Sequence, residues 1–339
     1  MVDAAERTFL DLLDRELDFD ATTSDDLTNH LPMALLAKWR LGADAEELLR
    51  FRAKYQRKLV PLPSPKLELD GSNWTSAIGQ KGVGGDLRRY FARAIAERGV
   101  DDVLFTHLPE LLPGIGGAAF HGVIRLSYAL DAYSPARIAA GLAYLAEVGS
   151  PLGEIPDRAP ESTTVSDAAA ILSDADCPLP RPEGINIGAR MRFVASDEMF
   201  KDAVSSLKVT DDTDSQLTEF ALHLFATSGD FTSLHAVTGM SAISSIRPWV
   251  KDQEALDRYA FQSLLAAYGT LGAPTVWTRS KLDEFSDSNG STISEILSVG
   301  ALSDDEHVSK LIYTTLARWT ELGDPLYLAV AARYAGMSD

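Results

Sequence analysis

The sequence contains a single cysteine, Cys177, so an internal disulfide is excluded. It also has no apolar run that approaches the roughly 18 residues of a membrane-spanning helix. Residues 1–13 lack the basic and apolar regions of a secretory signal. Such a chain is typical of a reducing compartment, and we expect a cytoplasmic protein that makes no membrane contact.

Basic side chains are scarce. Lys and Arg number 31 against 49 Asp and Glu, which gives a net charge of −18. A field of this sign repels nucleic acid and anionic lipid. The densest basic stretch, residues 50–58, is interpreted as the solvated face of one helix. We therefore expect a small-molecule partner and no nucleic acid, and the oligomeric state is left open.

Strand patterns are almost absent, because alternating β-branched runs and hairpin turns are missing. Apolar residues at helical spacing instead predict an all-α protein, with one large helical domain over residues 1–339 and long irregular loops. Residues 60–82 form one such loop, and residues of about 149–190 are predicted to be an irregular insertion. The predicted helices cover approximately residues 4–18, 32–41, 45–59, 86–97, 101–112, 120–131, 135–148, 165–172, 196–206, 214–227, 231–246, 252–269, 291–299, 304–320 and 324–335.

A glycine-rich turn, Gly114-x-Gly116-x-x-Ala119, partly matches a dinucleotide-binding fingerprint. No strand precedes it and no βαβ pattern surrounds it, so nucleotide binding is excluded. The glycines are better explained by a loop that passes close to another segment, or by two closely packed helices. Phosphate-loop, HExxH, CxxC and complete GxSxG motifs are missing as well.

The stretch from Leu111 to Tyr133 carries chemistry-bearing residues on one helical surface, because His121, Arg125 and Tyr128 are spaced i, i+4 and i+7. Neutral imidazoles suit iron, zinc or copper, and histidines on separate helices can build a shared site. Isolated histidines are also common as core or surface residues, so the residues alone leave both interpretations open. The six histidines are His30, His107, His121, His223, His235 and His307.

Several stretches, taken together and in order, resemble the questin oxidase-like family. The resemblance implies an all-α fold and an oxidoreductase, either a monooxygenase or a dioxygenase, that works without flavin. Its substrate would be a small cyclic secondary metabolite, polyketide-like or of another kind. The reaction would be Baeyer–Villiger-type oxygen insertion or oxidative C–C cleavage with O2. The matching stretches are NHLPMALLAKWRLGA, LLPGIGGAAFHGVIRLSYAL, LHAVTGM, DEHVSKL and GDPLYLAVAARY.

The resemblance also implies two alternatives for the cofactor. In the first, a non-haem Fe(II) ion is held by histidines and a carboxylated lysine, here His30, His121, His235, His307 and Lys310. A lysine carbamate would supply the negative charge that neutral imidazoles lack. The competing interpretation makes Lys310 an ordinary surface lysine that pairs with Glu306 at i, i+4.

In the second alternative, no cofactor beyond O2 is used, and an electron-rich substrate anion reduces O2 itself. His121 or His235 would be the base, Arg125 would hold the anion, and Tyr128 would join the catalytic pocket. One departure favours this version, because Ser241 occupies a position where family members often have a further histidine. Other candidate pocket walls, each also explained as core packing, are Trp39, Trp74 and Trp249.

A different class of function also fits the sequence. The chain could be a non-catalytic α-helical binding or scaffold protein whose histidines are ordinary core residues. A shared site requires the histidines to lie close together in the fold. Their positions therefore distinguish an oxygenase from a non-catalytic protein.

Overall fold

The structure is a computed structural model, and it describes residues 3–173 and 186–336. Cys177 and the centre of the predicted insertion lie outside the described residues. None of the described helices is long and apolar enough to cross a lipid bilayer. The described residues form the α-helices α1 Ala4–Arg15, α2 Leu31–Arg40, α3 Ala45–Tyr55, α4 Gly84–Arg98, α5 Val100–Leu111, α6 His121–Asp131, α7 Pro135–Glu147, α8 Val165–Ala170, α9 Ile187–Ala195, α10 Glu198–Ser206, α11 Thr213–Ser228, α12 Phe231–Ile246, α13 Gln253–Thr270, α14 Arg279–Asp287, α15 Ile293–Leu302, α16 Glu306–Leu322 and α17 Leu326–Tyr334.

The all-α expectation is confirmed, with one small addition. Strand β1, Phe19–Thr23, pairs antiparallel with β2, Leu59–Pro61. These strands were missed because β1 reads FDATT and β2 has only three residues, so neither shows a period of two. Helices α9 and α14 were also missed. The first adjoins the predicted irregular insertion, and the second is rich in charged and hydroxyl side chains.

Most helices begin where a polar side chain can bond their free N–H groups. Asp44 caps α3, Asp230 caps α12 and Asp305 caps α16, each by accepting a backbone N–H. Helices α2 and α6 differ, because neither cap residue, His30 or Phe120, makes a side-chain capping bond. At these two helix starts, the side chain at the cap position therefore does not serve to cap the helix.

Buried apolar side chains form one continuous cluster, and glycines allow two of its helices, α6 and α7, to pack closely. A Cβ atom on Gly122 of α6 would lie 2.9 Å from Leu145 Cα, and one on Gly141 of α7 would lie 2.8 Å from Leu126 Cα. Within the glycine-rich turn, a Cβ on Gly117 would clash with the carbonyl of Val148. The glycines thus serve close packing of α6, α7 and the turn between α5 and α6.

Candidate functional site

Four histidines from four helices meet in the interior. His30 directly precedes α2, and His121 is the first residue of α6. His235 lies in the second turn of α12, and His307 is the second residue of α16. Helix α6 packs against α12, and α16 packs against both α2 and α12. These contacts bring the N-terminal ends of the four helices together.

The four imidazole rings form a closed circuit of contacts, called here the histidine circuit. The ring centroids are 4.7 Å apart for His30 and His121, for His121 and His235, and for His30 and His307. The His235–His307 distance is 5.5 Å and completes the circuit. The Nε2 atoms of His30 and His121 are 2.7 Å apart. Residues that the sequence separates widely are therefore in contact with one another.

Backbone carbonyls orient two of the rings. The Nδ1 atom of His121 bonds to the carbonyl of Ala118, and that of His235 bonds to the carbonyl of Phe231 at 2.7 Å. A carbonyl only accepts hydrogen bonds, so each Nδ1 carries the hydrogen and each Nε2 presents a lone pair. The buried Nε2 of His235 has no hydrogen-bond partner among the described residues. A metal-binding histidine is oriented in the same way.

A carboxylate orients the His307 ring, and a second carboxylate lies beside His30, whose Nδ1 makes no hydrogen bond among the described residues. Asp305 Oδ1 lies 2.9 Å from His307 Nδ1, and Glu306 Oε1 lies 3.4 Å from His30 Nδ1. The Nε2 of His307 is buried and unpartnered within residues 3–173 and 186–336. Candidate ligand atoms of His30, Glu306 and His307 also lie within 4.8 Å of one another. Glu306 is therefore a candidate ligand that the sequence alone did not indicate.

Burial keeps the circuit uncharged. It lowers the pKa of His121 to about 3, and the positive charge of Lys310 acts in the same direction. Burial likewise places the pKa values of His30 and His235 well below 6.5. At neutral pH these imidazoles are neutral, the form that binds metals and accepts protons.

Lys310 is not a surface lysine. It lies one turn after His307 on α16 and is only 2% exposed. Glu306 Oε1 lies 3.4 Å from Nδ1 of the neutral His30 and 4.0 Å from the ammonium of Lys58. Burial lowers the pKa of Lys310 to about 8, although Glu306 and Asp305 oppose this shift. The predicted i, i+4 surface pair is therefore wrong, and a substantial part of the Lys310 amine is neutral near physiological pH.

Arg125 and Tyr128 lie further along α6 and stand outside the histidine circuit. Arg125 is buried and donates from Nη1 to the carbonyl of Asn29 at 2.9 Å. Tyr128 is also buried, and its hydroxyl is 3.5 Å from the backbone carbonyl of Lys310. Both side chains line a cleft between α1, α2, α6 and α7. They adjoin the circuit through the chain segments that carry His30 and Lys310.

A left-handed turn sets the position of His121. Ala118, Ala119 and Phe120 have φ values of 48°, 54° and 66°, a region that costs about 1–2 kcal/mol for each residue with a side chain. The turn places the Ala118 carbonyl against His121 Nδ1. Gly239 of α12 makes room for it, since a Cβ there would lie 2.5 Å from the Phe120 ring. Strain of this kind persists where the surrounding structure enforces it.

Phe231 covers one side of the circuit. Its ring centroid is 4.6 Å from that of His235 and 4.7 Å from that of His307, while 46% of the residue is exposed. Phe231 was not predicted as a site residue, although it immediately follows the Asp230 cap and lies one helical turn before His235. It is the aromatic side chain that separates these two rings from solvent.

The remaining candidates lie away from the circuit. His107 is satisfied in the core by Tyr90 and a backbone carbonyl. Ser241 follows His235 by six residues on α12, which turns its side chain about 120° away around the helix axis. A histidine at this position would not extend the circuit formed by His235. The three tryptophans contact other side chains, namely Trp39 with Phe9, Trp74 with Tyr90, and Trp249 with Asp101.

Comparison with known proteins gives one match. The model of a family described as Questin oxidase-like matches residues 27–315 of the chain. No curated protein matches the chain. The matched region contains every histidine of the circuit together with Lys310, Arg125 and Tyr128.

Proposed function

Because the chain belongs to the questin oxidase-like family, we propose that it is an oxygenase of secondary metabolism. It uses O2 and no flavin to oxidise a small cyclic metabolite, by Baeyer–Villiger-type insertion or by oxidative C–C cleavage. One observation carries the proposal: four neutral imidazoles, three of them buried and that of His307 partly buried, contact one another in a closed circuit, and two of their Nε2 atoms have no partner among the described residues. The single cysteine supports a cytoplasmic location.

The residues of the circuit fit a non-haem Fe(II) ion. Imidazole is a common iron ligand, and the Nδ1 contacts of His121, His235 and His307 turn their Nε2 lone pairs towards the interior. We propose His30, His121, His235 and His307 as metal ligands. When bound, the iron would supply the one-electron chemistry that allows O2 to react with an organic molecule.

Lys310 would complete this site as a carbamate. Its neutral amine attacks CO2, an N–C bond forms, and a proton leaves the nitrogen, so that the side chain becomes an anionic oxygen donor. Burial supports this step, because it favours the neutral amine. Glu306 is the other carboxylate-type donor near the circuit. Either group would balance charge that neutral histidines cannot.

The two proposed reactions differ in their electron balance. Oxygen insertion transfers one atom of O2 to the substrate, and the second leaves as water, which requires two electrons and two protons from a reductant such as NADPH. Oxidative cleavage by a dioxygenase transfers both atoms and requires no external reductant. Measuring O2 uptake with and without NADPH therefore distinguishes a monooxygenase from a dioxygenase.

A metal-free oxygenase is the second candidate, and the buried cation of Arg125 near the circuit supports it. In this version His121 or His235 takes a proton from the substrate. Arg125 stabilises the resulting anion and Tyr128 forms part of the pocket wall. The anion then passes electrons to O2 in a site from which the surrounding side chains exclude water.

The test combines elemental analysis with O2 consumption. Iron bound to the purified protein should be lost in His235→Ala and retained in His107→Ala, which removes a buried histidine outside the circuit. Oxygen uptake without metal, dependent on His121 or His235, would favour the metal-free reaction. Absence of both metal and oxygen uptake with quinols and cyclic ketones would contradict an oxygenase and favour a scaffold protein.

A further inference from the structure

A cleft opens between α1, α2, α6 and α7, and it is distinct from the histidine circuit. It is open to solvent, and its empty volume, with the open mouth included, is about 420 Å³. Its walls are mainly apolar, and two buried charged side chains also face it. The residues that line it include Leu13, Leu17, Met33, Glu16, Arg125 and Tyr128.

The two charged side chains are incompletely satisfied. Glu16 is only 3% exposed, and neither carboxylate oxygen has a hydrogen-bond partner among the described residues. Its nearest cation is Arg52, whose Nε lies 3.4 Å from Oε1. Arg125 directs one N–H to the Asn29 carbonyl, which leaves other guanidinium hydrogens for a ligand. Buried polar groups in this condition are available to bind a further molecule.

The cleft adjoins the proposed reaction site. Arg125 bonds to the carbonyl of Asn29, the residue before His30. On the same wall, the Tyr128 hydroxyl approaches the backbone carbonyl of Lys310. Only the chain segments that carry His30 and Lys310 therefore separate a molecule held against these two side chains from the histidine circuit.

Part of the cleft lies outside the region that the family model matches. Leu13 belongs to α1, and Glu16 and Leu17 follow it directly, so all three precede residue 27, where the family match begins. Arg125 and Tyr128 lie inside the matched region. The N-terminal segment thus adds an apolar wall and a carboxyl group to a surface that the matched region provides.

We propose that this cleft binds the substrate, an apolar ring system bearing a carboxylate or phenolate, with Arg125 on the anion and Leu13, Glu16 and Leu17 selecting the molecule. In naming the ligand a substrate, this inference rests on the proposed oxygenase function. The ring system lies along the leucine and methionine side chains, and the oxyanion lies between Arg125 and the Glu16 carboxyl group.

The charged groups around Glu16 should make the affinity for an anionic ligand depend on pH. Burial raises the pKa of Glu16 to about 7 and Asp18 adds to the rise, while Arg52 of α3 and Arg125 of α6 oppose it. Arg137 of α7 also lines the cleft. Below this pH the carboxyl group is neutral and no longer offsets Arg125. An anionic ligand should therefore bind more tightly as the pH falls, and the ligand should in turn favour the protonated carboxyl group.

Calorimetric titration of the full chain with 2-naphthoate tests the proposal, with 2-naphthylmethylamine as a cationic control of the same shape. We expect saturable binding of the carboxylate only, stronger by about threefold or more at roughly pH 6 than at roughly pH 8. Glu16→Gln should bind at both pH values with the same affinity, because its amide does not titrate. Absence of naphthoate binding, or equal binding of the amine, would overturn the proposal.

Two further variants locate the binding site. Arg125→Met and Leu17→Trp should each weaken naphthoate binding by about tenfold or more. Leu10→Trp is the matched control, because Leu10 lies on the exposed side of α1 at 38% exposure. Equal affinity in Leu17→Trp and Leu10→Trp would refute the cleft even if Arg125→Met fails to fold. If naphthoate binding passes these tests but the protein takes up no oxygen, the cleft is still a binding site and only the proposed oxygenase function is refuted.

Discussion

The Nε2 atoms of His30 and His121 lie 2.7 Å apart across 91 positions of sequence. Two unprotonated nitrogens would repel at this distance, so in the metal-free protein one of them carries a hydrogen and donates it to the other. Because Ala118 fixes the hydrogen of His121 on Nδ1, the donor is His30. Metal binding would displace that hydrogen, and the His30 ring would then place its remaining hydrogen on Nδ1, towards Glu306.

We predict that the metal-free protein loses stability in mild acid. The pKa of His121 falls from 6.5 in the unfolded chain to about 3 in the fold, so between these values the unfolded chain binds more protons. The free energy of unfolding should therefore decrease as pH falls below 6.5, by about 1.4 kcal/mol per pH unit for each such histidine. Urea denaturation of chelator-treated protein at several pH values measures the slope. A slope that does not become shallower in His235→Ala would contradict it.

We predict that Phe231 protects the circuit without contributing much to folding. Phe231→Ala should accelerate removal of bound metal by a chelator, because the His235 and His307 rings lose their cover. Its effect on the free energy of unfolding should be small, since the side chain is half exposed. Phe193→Ala is the matched control, because Phe193 has the same 46% exposure and lies on α9. Equal chelation rates in the two variants would exclude a protective role for Phe231.

We predict opposite effects of glycine in the left-handed turn and in an ordinary helix. Ala119→Gly relieves a φ of 54°, and the gain of about 1–2 kcal/mol exceeds the added freedom of the unfolded chain. Ala53→Gly, at an exposed position in α3, should instead cost about 1 kcal/mol. Denaturant midpoints compare the two variants directly. Destabilisation by both would show that the turn is not strained.

We predict that a buried ion pair supports the start of α16. Lys38 is fully buried and contacts Glu47 at 2.9 Å and the carbonyl of Ser303 at 2.7 Å. Glu47→Gln leaves this ammonium without its counter-charge, which should cost about 3–5 kcal/mol. Lys54→Met breaks an exposed pair with Asp304 and should cost less than about 1 kcal/mol. Similar losses from both variants in thermal or chemical unfolding would argue against a structural role for the buried pair.

Carbamylation of Lys310 can be observed without an activity assay. We predict a carbon-13 carbamate signal when the protein is equilibrated with labelled CO2, because the buried amine is partly neutral. The signal should disappear in Lys310→Met and persist in Lys58→Met, which removes an exposed lysine beside Glu306. A signal that survives in Lys310→Met belongs to another amine and would exclude the carbamate.

The positions of most helices could be predicted from local sequence patterns, whereas the meeting of the four histidines could not. Periodic apolar residues and caps such as Asp44 locate most helices, because both signals are local. The meeting of His30, His121, His235 and His307 was expected only through the family resemblance. No local pattern encodes it, since the packing of four helices decides which of their ends coincide.

Features that depend on tertiary contacts escaped prediction. Glu306 read as a surface partner of Lys310 because i, i+4 spacing is satisfied on any helix, yet its contact is His30. The left-handed conformation of Ala118 and Ala119 was not predicted, because alanine has no local preference for positive φ. The surroundings enforce their conformation, chiefly the contact of Gly117 with Val148 and that of Gly239 with Phe120.

The convergence of four helix N-termini has an electrostatic consequence. Each helix start carries a partial positive charge of about half a unit from its free N–H groups. Asp230 and Asp305 offset two of these charges, whereas α2 and α6 lack a charged cap. The His30–His121 contact is thus an electropositive point inside a chain of net charge −18. A negative charge that develops there during a reaction would be stabilised by these helix starts.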